Sequence, residues 1–247
     1  VINAAYWIGR IRVREGRLDE AQARVAEIAG RHLADPEMDG VERLLGELAG
    51  MLSRPPRPGP DGRKPEPPTA ERIAMRTEEL LLGETEAAPA PTARARVLFT
   101  QAEVAALRSE PDVQADRLDR LAAEFALEAL PAGVLGRLGD HLQATGGPAE
   151  ARACYERIVA RYARSIFADF GFTGLGELAL AEGRAGEALD HFNAALDRAG
   201  ARFKLREATL GRARAMLALE QLDAARELFE EIAGNRQWRG EATAESV

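Results

Sequence analysis

Cysteine is almost missing from this chain. Cys154 stands alone among 247 residues, which excludes an internal disulfide and a cysteine zinc cluster. Histidine is nearly as scarce: His32, His141 and His191 are the only three, and none has a second metal-type ligand at i+3 or i+4 in a frame such as HExxH. Aromatics supply 5% of the residues, too few for a β-sandwich, which draws on aromatic and β-branched side chains. No stretch approaches the roughly 18 consecutive apolar residues that would cross a bilayer. A cationic excess is lacking too. The 33 Lys and Arg face 40 Asp and Glu, for a net charge of −7, which argues against a broad nucleic-acid footprint.

What is present is alanine, leucine and charge in a globular proportion, 46% hydrophobic and 30% charged, a mixture suited to helices with small-residue packing. The stretch GLGELALAEGRAGEALDHF (174–192) poses the central question, because its helical run of Leu175, Leu178, Ala179 and Leu180 is interrupted by Gly176. An interior helical glycine costs roughly 0.5–1 kcal/mol relative to alanine. Laying the sequence on itself at a shift of 37 gives the reason: Gly139, Gly176 and Ala213 align, as do Gly146, Gly183 and Glu220. Ala151, Ala188 and Ala225 follow in register, then Tyr155, Phe192 and Phe229, then Ile158, Ala195 and Ile232. A fixed period of this size marks a solenoid of stacked units.

Each unit reads as two helices. Phe172, Leu175, Gly176 and Ala179 make an i, i+3, i+4, i+7 stripe, and Ala188, Phe192 and Ala195 repeat it on a second helix. Gly183 falls where the first helix ends, a position suited to a left-handed C-cap. Gly176 and Ala188 are then expected to be the small pair through which the two helices approach. A degenerate earlier unit places Leu98, Ala102 and Ala105 on its first helix and Leu118 and Leu121 on a second helix started by Pro111, with Phe125 aligned to Tyr162. Arg239 to Val247 would begin a further first helix, so the chain, which also opens on Val1 inside a helical pattern, is expected to be a segment of a longer array.

These residues resemble the tetratricopeptide repeat family, whose first helix carries a Leu-Gly pair and whose second helix carries Ala, Phe and Pro over a period of about 34 residues. Leu138-Gly139, Leu175-Gly176 and Ile8-Gly9 fit the pair, and Gly16, Ala21 and Val25 complete a unit in YWIGRIRVREGRLDEAQARV. The period here is 37, the first-helix Trp is replaced, and Ala163 stands where the closing Pro would be. The expected fold is all-α, an α-solenoid of antiparallel helix pairs with a Pro-rich insertion. Residues 1–52 form an N-terminal unit with an extra helix. Residues 53–92 hold the linkers: SRPPRPGPDGRKPEPPT (53–69), with its seven prolines, is an extended tether or a polyproline ligand, and a short amphipathic helix follows over 70–83. Residues 93–247 form the main array.

The resemblance implies a noncatalytic protein-interaction scaffold that holds a protein or peptide segment on a concave groove lined by first-helix residues. Carried across position by position, the groove would comprise Tyr6, Trp7, Arg10 and Arg14 in the first unit and Arg137, Asp140 and Gln143 in the second. Phe170, Thr173 and Glu177 follow in the third, and Glu207 and Arg214 in the fourth. Gly136, Gly174 and Gly211 fall on the same face, either deepening the groove or admitting a tightly stacked helix; on the first alternative a methyl at Gly174 would be tolerated. The family's carboxylate clamp needs Lys and Asn on this face, which the units from Arg137 onward lack. Individual repeats also look like those of bacterial envelope-associated proteins, including periplasmic partners of the Tol-Pal system and outer-membrane assembly lipoproteins, which suggests a periplasmic or envelope setting.

Catalytic readings find little support. Cys154 and His191 share a column of adjacent repeats, but a Cys–His nucleophile also needs an orienting group and an oxyanion site. GPGPDGRK lacks the strand and the Ser/Thr of a phosphate loop. No catalytic residue, cofactor or metal is expected, and Trp238 between Arg236 and Arg239 reads as inter-repeat packing. The alternatives are a structural spacer or assembly subunit of a cell-envelope complex, and a regulatory subunit of an enzyme. Self-association through exposed repeat ends is a further expectation.

Overall fold

The structure is a computed structural model. It describes residues 2–38, five positions between 41 and 51, and residues 91–107, 109–197 and 203–235. The Pro-rich stretch, the helix expected over 70–83, and Arg236, Trp238 and Arg239 lie outside the described residues. Apart from one short 3-10 turn, every regular element described is an α-helix: α1 (Ile2–Arg14), α2 (Leu18–His32), α3 (Pro91–Leu107), α4 (Pro111–Glu124), α5 (Ala132–Ala144), α6 (Pro148–Arg161), α7 (Ala168–Ala181), α8 (Ala185–Leu196), α9 (Leu205–Ala218) and α10 (Leu222–Gly234). Neighbouring helices pack in pairs, α1 with α2, α3 with α4 and α9 with α10, and α7 packs with both α6 and α8. The chain divides into two compact units, residues 1–134 and 135–247.

In the N-terminal unit, Tyr6 and Val13 of α1 meet Ala21, Val25 and Ile28 of α2, the latter three at i, i+4, i+7. Acidic Asp19 and Glu20 in the first turn of α2 and basic Arg31 and His32 in its last suit the helix dipole. Val41 and Leu48 belong to the same core, as do Ala93 and Val97 of α3, so the chain on both sides of the Pro-rich stretch shares one apolar centre. The fastening is a buried guanidinium. Arg96, with no exposed surface, donates from Nε to the Leu33 carbonyl at 3.0 Å and from a terminal nitrogen to Asp35 and Met38 carbonyls at 2.9 and 2.5 Å. Its planar fork gathers three carbonyls of the turn that follows α2. Arg96 lies in a stripe with Ala93, Val97 and Thr100; a lone charge in such a stripe marks a buried polar tie.

In the C-terminal unit α7 is buried nearly all round, from Ala168 to Gly176 and again at Leu178 and Ala179. Such a helix needs close neighbours on every side, and its glycines supply the room. A Cβ on Gly171 would stand 2.9 Å from Ile158, and one on Gly174 2.3 Å from the Tyr155 ring, both side chains of α6. One on Gly176 would stand 2.7 Å from the Phe192 ring of α8. Tyr155 is therefore gripped from both sides, since a Cβ on Gly139 of α5 would also come within 2.5 Å of it. Phe192 is gripped in the same way between Gly176 and Gly211 of α9, the latter at 2.3 Å.

Two expectations are corrected by these contacts. Gly176 makes its closest approach to Phe192, one turn beyond Ala188, because the ring and not the small residue fills the space between the helices. Gly174 is not on an open face; it stacks against Tyr155, so tight helix stacking is the alternative that holds there. Gly136 likewise faces Phe170, at 2.7 Å from an added Cβ.

Helix ends carry their own signature. Gly183 ends α7 at φ 76°, in the left-handed region that glycine enters freely, whereas Glu220 holds φ 60° after α9 without that freedom. Replacement Glu220→Gly should therefore raise stability by about 0.5–1 kcal/mol and Gly183→Ala should lower it by about 1 kcal/mol, as read by urea denaturation. Gly174→Ala should cost about 2–3 kcal/mol, because Tyr155 has no space to retreat; a melting temperature equal to that of the native chain would show that α6 and α7 do not stack as described.

Candidate functional site

The first helices α5, α7 and α9 carry most of the residues expected to line a groove, and the structure brings several of them together around Asp140. The Tyr155 hydroxyl donates to the Asp140 carboxylate at 3.0 Å and lies 3.1 Å from the Gln143 side-chain oxygen. The Lys204 ammonium stands 2.7 Å from the other Asp140 oxygen. Burial and the neighbouring Asp140 charge both push the Tyr155 hydroxyl far above its ordinary pKa, which keeps it a donor. Lys204 precedes α9, so its reach to α5 carries it across α7. Beneath it lies Phe170, with the Lys204 nitrogen 4.9 Å and the Arg137 guanidinium 5.5 Å from the ring centre.

The same turn is held from the backbone. The Lys204 amide donates to Asp169 Oδ2 at 2.9 Å, while Phe203 stacks on Phe167 with ring centres 4.9 Å apart and planes 9° from parallel. Burial raises the Asp169 pKa and the backbone amides of Lys204, Phe203 and Phe170 oppose that shift. Phe170 and Thr173, both expected to face a partner, are buried at 3% exposure each, Phe170 beneath Lys204 and beside Phe203. At Phe170, the face expected to meet a partner is covered by the chain's own Lys204–Asp140 strap.

Toward the other end of the helices the surface is open. Glu177 pairs with Arg214 at 3.0 Å, linking α7 to α9. On α9, Glu207, Leu210, Arg214 and Leu217 follow one another at helical spacing, while Phe203 stands before the helix, in the turn stacked on Phe167. Phe203 is 44% exposed, Leu210 36% and Leu217 51%, and Glu207 is exposed beside them. Glu207 and Arg214 were legible as groove positions from the repeat; Leu210 and Leu217 were not singled out, although the 207–210–214–217 stripe was available as a signal. Lys204 was also missed, and it is one of only two lysines in the sequence.

The four first-unit candidates lie in the N-terminal unit. Tyr6 is buried and donates to Glu47, and Arg10 donates to the Tyr6 hydroxyl at 3.1 Å. The Arg10 guanidinium also sits 4.7 Å from the Trp7 ring centre. Trp7 is 55% exposed and Arg14 is exposed. Tyr6 thus fastens α1 inward, while Trp7 presents an aromatic face steadied by Arg10.

Cys154 is fully buried, and burial pushes its thiol up to about 11, well away from thiolate character. His191 lies 3.7 Å from Glu187 and beside the Phe172 ring. Among the described residues no group of three or more His, Cys, Asp or Glu is placed to hold a metal ion, and no helix is long and apolar enough to cross a membrane. No protein-family model matches the chain, and no curated protein is significantly similar to it.

The strap has a measurable strength. A double-mutant cycle between Lys204→Met and Asp140→Asn should give a coupling of about 1 kcal/mol in urea denaturation, since the pair is partly buried and anchored by the Tyr155 hydroxyl. Additive effects would mean that the ammonium and carboxylate do not hold each other in solution.

Proposed function

We propose that the chain is a noncatalytic interaction scaffold, a tetratricopeptide-like α-solenoid of 37-residue helix pairs that holds a protein segment on its first-helix surface. The periodic reading is supported by the second helices, which begin at Pro111, Pro148, Ala185 and Leu222, each 37 residues after the last. It is supported again by Ser109, Gly146, Gly183 and Glu220, the positive-φ residues that stand two positions before those starts. Gly16 holds positive φ two positions before α2 as well. Stacked pairs of this kind set their first helices side by side and so build an extended surface.

The observation that carries the function is the exposed stripe of α9. Leu210 and Leu217 on one face of this helix, alternating with Glu207 and Arg214, form an exposed patch of the kind that marks a contact with another protein. Arg214 and Glu177 leave it with a charged rim, which favours a partner segment that brings apolar anchors between polar residues. The strap of Lys204 and Asp140 bounds it at one end.

Selection of displayed peptides against the whole chain tests this reading. Enriched peptides should bind with micromolar dissociation constants in calorimetry, and Leu210→Glu should weaken them at least tenfold with an unchanged melting temperature. Absence of enrichment, or binding indifferent to Leu210→Glu, would count against the first-helix surface as the site.

A further inference from the structure

We infer that the outer face of α1 is a second docking surface, built to take an acidic amphipathic helix of another protein. Trp7, Ile8 and Ile11 are 55%, 39% and 51% exposed. Trp7, Ile11 and Arg14 lie at i, i+4 and i+7 with Ile8 beside them, while Tyr6 and Val13 on the other side of the helix are buried in the core. Single exposed apolar residues are ordinary on a protein surface, but three large ones side by side are a patch. An indole at its centre is the kind of anchor on which interfaces concentrate their binding energy. The argument concerns α1 alone and does not depend on the stripe of α9.

The charges around this face say what it takes. Residues 2–38 hold six arginines. Arg12, Arg17, Arg24 and Arg31 each stand in ion-pair reach of a glutamate of α2 or of the turn before it. Arg10 and Arg14 are the two with no carboxylate in such reach among the described residues. Arg10 donates to the Tyr6 hydroxyl and lies over the Trp7 ring, and Arg14 is exposed. Both run along one edge of the apolar strip, three and seven residues beyond Trp7. The opposite edge carries Glu15, which Arg12 and Arg17 already neutralise. In a chain of net charge −7, this strip therefore has one basic edge and no acidic one. A helix with apolar residues at i, i+4 and i+7 can lay its ridge along Trp7, Ile8 and Ile11. Carboxylates down one flank of that helix meet Arg10 and Arg14, and the single basic edge fixes which way round it lies. An anionic bilayer fits less well, because three apolar side chains bury little area in a lipid interface and the net negative charge of the chain opposes the approach.

Selection of displayed helices of about 15 residues, long enough to cover the two turns from Trp7 to Arg14, against the full 247-residue chain tests this, with the Arg14→Glu variant as counter-bait. Helices that prefer the native chain should carry apolar residues at helical spacing and Asp or Glu along one flank. As free peptides they should bind at least about tenfold more weakly to Arg14→Glu and to Ile11→Glu, and equally well to Leu210→Glu. The same peptides with their acids changed to lysine should reverse the preference and favour Arg14→Glu over the native chain. Ile11 and Arg14 are exposed, so the melting temperatures of both variants should match that of the native chain. Enriched helices without an acidic flank, or binding indifferent to Arg14→Glu, would overturn the proposal. So would a selection in which no helix depends on Ile11, and if those helices are lost with Leu210→Glu instead, α9 stands as a docking face and α1 does not. Ile11-dependent attachment to phosphatidylglycerol vesicles in place of peptide would overturn it in favour of a lipid surface.

Discussion

Two aromatic rings, each clamped between the backbones of two helices, set the geometry of the C-terminal unit. Tyr155 lies between Gly139 and Gly174, and Phe192 between Gly176 and Gly211. Each glycine weakens its own helix by roughly 0.5–1 kcal/mol. Complete burial of a large aromatic side chain offsets this by about 1.5–3 kcal/mol, with dispersion contacts on both ring faces added. The exchange is favourable only when every member is in place. That is why α7, with three such glycines, is buried nearly all round, and why its helical propensity says so little about its stability.

From the same ring the structure passes from packing to polarity. The Tyr155 hydroxyl emerges among the first helices beside Gln143 and donates to Asp140, and Asp140 in turn receives the Lys204 ammonium. A side chain chosen for its ring thus organises a charged strap across Phe170. The strap covers Phe170, and the exposed apolar character lies on α9, at Leu210 and Leu217. Interaction is accordingly expected at one end of the first-helix face and not along its whole length.

The helices from Pro91 onward and their pairing were legible because the signals are local and periodic. Pro111 and Pro148 start second helices as a residue lacking an amide donor should, and Phe125 and Tyr162 both cap the ends of such helices as buried aromatics. The face of a glycine was not legible. Position in the repeat placed Gly174 near the groove, but whether a glycine clears space for a ligand or for a ring depends on the superhelical stagger of neighbouring helices, which no local pattern encodes. Arg96 and Lys204 were missed for a related reason: their partners lie far away in sequence, at Leu33, Asp35 and Met38 for one and at Asp140 for the other. Tyr6 was placed on the groove from its register, yet its hydroxyl turns inward to Glu47, a partner 41 residues away that no local pattern points to.

The clamp can be isolated by asking whether the cost of a methyl at residue 174 depends on the ring it faces. Gly174→Ala should be measured by urea denaturation in the native chain and again in a Tyr155→Leu background, which keeps an apolar side chain but removes the ring. The clamp predicts that the methyl is strongly destabilising in the first case and neutral or stabilising in the second, where alanine's better helix propensity is all that remains. An equal penalty in both backgrounds would contradict the account, because Gly174 would then owe its identity to something other than Tyr155.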